Sequence, residues 1–179
     1  MTEDPDHTAN LVGALALAVS GRTAAAMAAA ADVSETAATA LSALHHFLDR
    51  PSIDELRQVL GLTSSGTVRL VDSLARAGYV RRRPGRDARS TAVTLTASGR
   101  AAAKRVAAAR AAALRAVLAP LSADERSALG GGVGRVLATL APHDPHAGAL
   151  CRQCDTVTCR TAAPGCPVGG GGGAALTRS

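Results

Sequence analysis

Four cysteines, Cys151, Cys154, Cys159 and Cys166, fall in one short stretch near the C-terminal end, spaced C-x2-C-x4-C-x6-C. Thiolates in a loop-rich segment of this kind can wrap a single tetrahedral zinc ion, with His143 and His146 as substitute ligands. The same thiols can instead sense redox state, through two disulfides or one reactive thiolate favoured by nearby Arg152 and Arg160. A third reading is four inert reduced thiols. Spacing alone leaves the three open. An enzyme of the thiol oxidoreductase class would need a βαβ context around Cys151 and Cys154. Residues 142–179 read as a Pro-, Gly- and Cys-rich tail without a packed core, ending in the run Gly169–Gly173.

A second group of residues points to polyanion binding. Ser64, Ser65, Thr67, Arg69 and Arg76 lie along one helical stretch, with Asp72 between them. Short hydroxyls can approach base edges and phosphates, and arginines can reach guanine edges or the backbone. Five arginines follow within nine residues: Arg81, Arg82, Arg83, Arg86 and Arg89. So dense a cluster repels itself without an anionic partner, and a narrow minor groove attracts arginine at a turn tip. Asp87, two residues before Arg89, can hold that side chain extended or make a local turn bond. Catalytic signatures are missing: there is no GxSxG, HExxH, P-loop or dinucleotide fingerprint, so the chain is not read as an enzyme.

Charge is distributed accordingly. The net formal charge is +6, but residues 1–60 carry −5 and residues 65–110 carry +9. A concentrated cationic third is the footprint of a phosphate-bearing partner, because such contacts release condensed counterions. The apolar share of 47% is largely alanine, with Phe47 and Tyr79 as the aromatics. A monomer of that composition has a weak core, and dimerisation is the usual remedy. The apolar run from Leu11 to Ala31 is broken by Gly13, Ser20, Gly21, Arg22 and Thr23, which argues against a membrane span. The start MTEDPD is acidic, unlike a secretory signal, so the expectation is a cytoplasmic protein.

The elements that must position these residues can be read from caps and periodicity. Residues 1–9 read as a disordered leader. Asn10 caps a helix to about Ala30, and a second helix runs from Ser34 to Leu48, stopped by Pro51. Ser52-Ile53-Asp54-Glu55 is a capping box opening a third helix, closed by Gly61. Thr63 or Ser64 starts a fourth helix to about Ala77, with Val68, Val71, Leu74 and Ala75 expected in the core and Ser65, Arg69, Asp72 and Arg76 opposite. After Gly78 the pattern alternates: Tyr79–Arg83 and Ser90–Thr96 read as strands joined by a turn. A long helix follows from Ala97 to about Ala119, then a capped one from Ser122 to Leu140, its middle weakened by Gly130, Gly131, Gly132 and Gly134.

Two segments give this layout a family likeness. Residues 61–83, GLTSSGTVRLVDSLARAGYVRRR, and 87–100, DARSTAVTLTASGR, resemble the recognition helix and wing of MarR-family winged helix-turn-helix regulators. The wing pattern is Asp-x-Arg, then Leu-Thr, then Gly. The resemblance extends over about residues 10–141. It implies a mainly α fold with a small β-hairpin, a DNA-binding lobe at about 52–96, and dimerisation helices at about 10–31 and 97–141. It also implies a homodimer on double-stranded DNA, recognition helices in successive major grooves, and Arg89, braced by Asp87, in the minor groove. Such proteins usually repress transcription until a small-molecule effector binds. The expectation is therefore a sequence-specific regulator, in the main a repressor released by a small molecule, metal or oxidant. Two alternatives stand beside it: a zinc or redox protein whose activity lies in the cysteine tail, and a nucleic-acid binder without sequence preference.

Overall fold

Capping decides where most of the helices begin. The computed structural model describes residues 4–46, 48–85, 91–141, 149–161 and 166–168. Helix α1 spans Pro5–Ala31. Pro5 sits where a missing N–H costs nothing, and the Asp6 N–H donates to the Asp4 carboxylate at 3.0 Å. This corrects the expected leader and the Asn10 cap: the helix starts six residues earlier, and Asn10 lies inside it. It also runs unbroken through Gly13 and Gly21, and by length and composition it is apolar enough to cross a membrane. Its last third is occupied otherwise, since Thr23, Met27 and Ala31 are buried in the protein.

Helix α2 (Glu35–His46) opens where the Ala37 N–H donates to the Ser34 hydroxyl at 3.3 Å. In α3 (Ile53–Leu60) both halves of the expected capping box form, Glu55 N–H to Ser52 Oγ at 3.1 Å and Ser52 N–H to the Glu55 carboxylate at 2.6 Å. Gly61, at φ 66°, ends it in the left-handed region that a side chain would strain. Helix α4 (Ser64–Arg76) is capped by Thr63, which accepts from the Gly66 N–H at 3.1 Å. Strands β1 (Val80–Pro84) and β2 (Thr91–Leu95) pair antiparallel, Val80 opposite Leu95 and Pro84 opposite Thr91.

Helix α5 (Ala97–Leu118) follows directly, and α6 (Ala123–Leu140) leaves it at a bend of 114°. The Ser122–Glu125 capping box closes as expected, and α6 continues through its four glycines. Among the described residues the chain is thus mainly α with one small two-stranded antiparallel sheet. Helix α1 packs most extensively on α5, with α2 against both. Ala38, Ala40, Leu41, Ala102, Ala103 and Val106 are fully buried there. Alanine seams let the helix axes approach closely, so dispersion contacts replace the large side chains that the sequence lacks. The same core continues into the small lobe through Leu56, Val71, Leu74, Val80 and Val93.

The tail departs from expectation. Residues 142–148 lie outside the described residues, but beyond them a turn and a short helix, α7 (Thr156–Thr161), are docked on α2. The Gln153 side-chain amide donates to Thr39 Oγ1 at 2.9 Å, and the Thr156 hydroxyl donates to the His46 carbonyl at 2.8 Å. A reading of this segment as structureless missed these bonds because their partners are more than a hundred residues away.

Candidate nucleic-acid interface

A helical period of 3.6 residues puts positions 67, 71 and 74 of α4 on one face. Thr67, Val71 and Leu74 are buried there, and the Thr67 hydroxyl donates to the Thr63 carbonyl at 3.0 Å. With its polarity satisfied inside the helix, threonine serves as a core residue. This corrects two expectations. Thr67 is no candidate for DNA contact, because none of its surface is exposed, whereas Val68, expected inside, is 39% exposed.

The opposite face carries Ser65, Arg69 and Arg76, and Ser64 at the start of the helix is exposed as well. Arg69 is held along the helix by bonds from its Nε–H to the Ser65 carbonyl at 3.3 Å and from its NH2 to the Ser65 hydroxyl at 3.5 Å. Arg69, Asp72, Ala75 and Arg76 line an open cleft on this face. Asp72 does not point to a polyanion. It pairs with Arg82 of β1 at 2.8 Å, which ties the helix to the hairpin and leaves Arg69 and Arg76 as the cations of the stripe. Arg81 and Arg83 are exposed on the same strand. Arg86, Asp87 and Arg89 lie outside the described residues.

Three supports hold the hairpin against α3, α4 and α5. The Val93 N–H donates to the Pro51 carbonyl at 2.8 Å, next to a bridge between Ser52 and Ala92. The Arg50 guanidinium donates to the Pro84 carbonyl at 3.2 Å. At the hairpin base, Thr96 Oγ1 donates to the Gly78 carbonyl at 2.6 Å while accepting from the Gly99 N–H at 3.0 Å, and Ser98 Oγ reaches the same carbonyl at 2.8 Å. Gly99 passes so close to Tyr79 that a Cβ there would meet its carbonyl oxygen at 1.8 Å. The Leu-Thr…Gly pattern is therefore a joint: Thr96 caps α5 and Gly99 lets it abut β1. Sequence analysis placed Asp72 on the exposed stripe and singled out no role for Arg50. Their partners lie ten and thirty-four residues away, and no local signal marks such pairs.

The tyrosine at this joint also links lobe to body. Its hydroxyl donates to the Ala31 carbonyl at the end of α1, at 3.2 Å, and Arg105 of α5 donates to Ala30 at 3.0 Å.

The four cysteines are partly buried and unbridged, and their sulfurs make a chain of contacts from Cys151 to Cys154, Cys159 and Cys166. The hydrogen bond from the Cys151 thiol, helped by the positive charge of Arg110, brings Cys154 down to about 6 against the opposing effect of burial. The same bond and burial push Cys151 up, and burial raises Cys159. Among the described residues no group of three or more His, Cys, Asp or Glu is arranged to hold a metal ion. His45 and His46 meet edge to face at 4.9 Å between ring centres, and His46 Nδ1 lies 4.0 Å from Asp155.

The arrangement matches known proteins. The MarR family model matches residues 15–90. No curated protein sequence matches the chain. A probable transcriptional regulator from Pseudomonas aeruginosa is 26% identical at a TM-score of 0.55, over 70% of this chain and 96% of that one. MepR of Staphylococcus aureus, described as a transcription regulator of a multidrug efflux pump, is 18% identical at a TM-score of 0.63, over 74% and 97%. A MarR-family regulator from a Rhodococcus species is 18% identical at a TM-score of 0.56, over 76% and 97%. With a helix-turn-helix, paired wing strands and flanking helices, the chain has the winged helix-turn-helix fold of MarR-family transcriptional regulators, whose family model matches its residues 15–90.

Proposed function

We propose that the chain is a sequence-specific DNA-binding repressor that works in the cytoplasm as a homodimer and is released by a small-molecule, metal or oxidant signal. The observation that carries DNA binding is the exposed face of α4. Ser64, Ser65, Arg69 and Arg76 stand clear of the core, and the Asp72–Arg82 pair fixes the cationic hairpin beside them. A duplex groove offers both base edges and phosphates to such a face. A variant of MepR has been solved bound to an oligodeoxyribonucleotide, at 17% identity and a TM-score of 0.54 to this chain.

Dimerisation is supported by apolar surface that one chain leaves bare. Leu11, Val12, Leu15 and Leu17 on α1, and Val133, Val136 and Leu140 on α6, are between 44% and 79% exposed, and α6 buries no residue fully. Large apolar side chains grouped on terminal helices mark an association surface. A second copy supplies the same surface in return, as two-fold symmetry requires.

Footprinting on DNA flanking the coding region tests the proposal. The expected result is a protected tract with two related half-sites centred about one helical turn, roughly 34–36 Å, apart. Arg89→Ala, at the position that the family likeness places in the minor groove, should abolish protection while the dimer stays folded. Uniform protection of all sequences, declining steeply with salt, would favour the non-specific reading instead.

A further inference from the structure

The docked tail brings together groups that DNA binding leaves unused. Residues 151–154 form a tight turn, with the Cys154 N–H donating to the Cys151 carbonyl at 2.8 Å. Such a turn holds its ends within about 7 Å at Cα, inside the range that a disulfide spans. Within it, the Cys151 thiol hydrogen-bonds the Cys154 sulfur. Gln153, between the two cysteines, is bonded to Thr39 of α2, so the turn is seated and its sulfurs are not free to drift. Arg110 of α5 adds an independent mark. Its Nε is buried with no hydrogen-bond partner among the described residues, and its positive charge acts on the Cys154 sulfur. A buried guanidinium N–H left unsatisfied is costly unless an anion neighbours it.

We infer that Cys151 and Cys154 form an oxidisable dithiol in which Cys154 reacts with a hydroperoxide and Cys151 closes the disulfide, on a turn seated against α2 beside Arg110 of α5. The Cys154 thiolate attacks one peroxide oxygen and the O–O bond breaks. Cys154 becomes a sulfenic acid, and the departing alkoxide or hydroxide takes a proton from solvent. The Cys151 sulfur then attacks the sulfenic sulfur, the S–S bond forms, and water leaves with the Cys151 proton. Two thiols give up two electrons and one hydroperoxide accepts them. Roles divide by environment: the Cys151 hydrogen bond and the charge of Arg110 lower Cys154 toward the thiolate, while Cys151 is raised and keeps its proton. Cys159 also touches Cys154, but burial keeps it protonated and it stands outside the turn.

Use of this dithiol as a regulatory input rests on the DNA-binding proposal; its chemistry does not. The test therefore reads sulfur, using the reduced full-length protein and hydrogen peroxide as probe. One equivalent should remove two of the four thiols and link the Cys151 and Cys154 peptides, and a thiol reductant should reverse it. At pH 6, Cys154 of the reduced protein should alkylate roughly tenfold faster than the same cysteine in the unfolded chain, because the gain in thiolate fraction outweighs its lower nucleophilicity. In Cys151→Ser, peroxide should leave a sulfenic acid on Cys154, trapped by dimedone, with no cross-link. A first product joining Cys154 to Cys159, or four thiols unmoved by peroxide, would overturn the assignment. So would one zinc ion per chain protecting all four thiols from alkylation in protein purified under reducing conditions. DNA affinity of the reduced protein, measured separately, fails or holds with the DNA-binding proposal alone.

Discussion

Replacing Gly99 by alanine places a methyl carbon 1.8 Å from the Tyr79 carbonyl oxygen and 2.8 Å from its carbon. Both neighbours are backbone, so no rotamer can relieve the clash, and α5 must move from β1 by more than about 1 Å in a packed interior. Overpacking of this kind costs about 1–3 kcal/mol. The movement also strains the Thr96 cap, worth about 1 kcal/mol, and the bonds from Thr96 and Ser98 to Gly78. Alanine's better helix propensity returns about 1 kcal/mol. The net loss is about 1–3 kcal/mol, a large part of the roughly 5–15 kcal/mol that domains possess. Urea unfolding followed by circular dichroism should show the midpoint fall by roughly 1 M. Gly21→Ala is the control: nothing lies within 4 Å of its added methyl, so it should stabilise by up to about 1 kcal/mol. If Gly99→Ala matches that control, the joint is not a close contact and the positioning of the hairpin has been misread.

Other substitutions separate the two faces of α4 and test the assembly. Thr67→Val should leave DNA affinity unchanged and alter stability by no more than about 1 kcal/mol, since the Thr63 carbonyl still accepts from the residue 67 N–H at 2.9 Å. Arg69→Ala and Arg76→Ala should each weaken DNA binding and lower the salt slope by about one, with melting temperature little changed. An affinity loss for Thr67→Val alone would reverse the orientation given for this helix. Leu17→Asp, at a position 79% exposed, should yield monomers in sedimentation without loss of helix content; a persistent dimer would place the association surface elsewhere.

Local signals made most of the fold legible. Ser52 with Glu55, Thr63, Gly61 and Gly78 announced boundaries because caps and left-handed residues act over three or four positions. The arginine hairpin and the exposed serine–arginine stripe were legible for the same reason. Thr67 and Val68 were exchanged because hydrophobicity alone assigns valine inward, whereas a threonine bonded to its own helix backbone buries at little cost. Asp4 was overlooked as a cap because the polar residues after Pro5 imitate a frayed end. The Asp72–Arg82 clamp, the Gly99–Tyr79 contact and the seating of Gln153 on Thr39 join distant residues, and composition and period carry no record of them.

The most direct measurement is a competition titration at moderate salt, using a labelled duplex from the flanking DNA against unlabelled duplexes of matched and shuffled sequence. Two chains should bind per site, with a preference for the matched duplex of about a thousandfold or more. Equal displacement by both competitors, or no binding to either, would contradict the proposal.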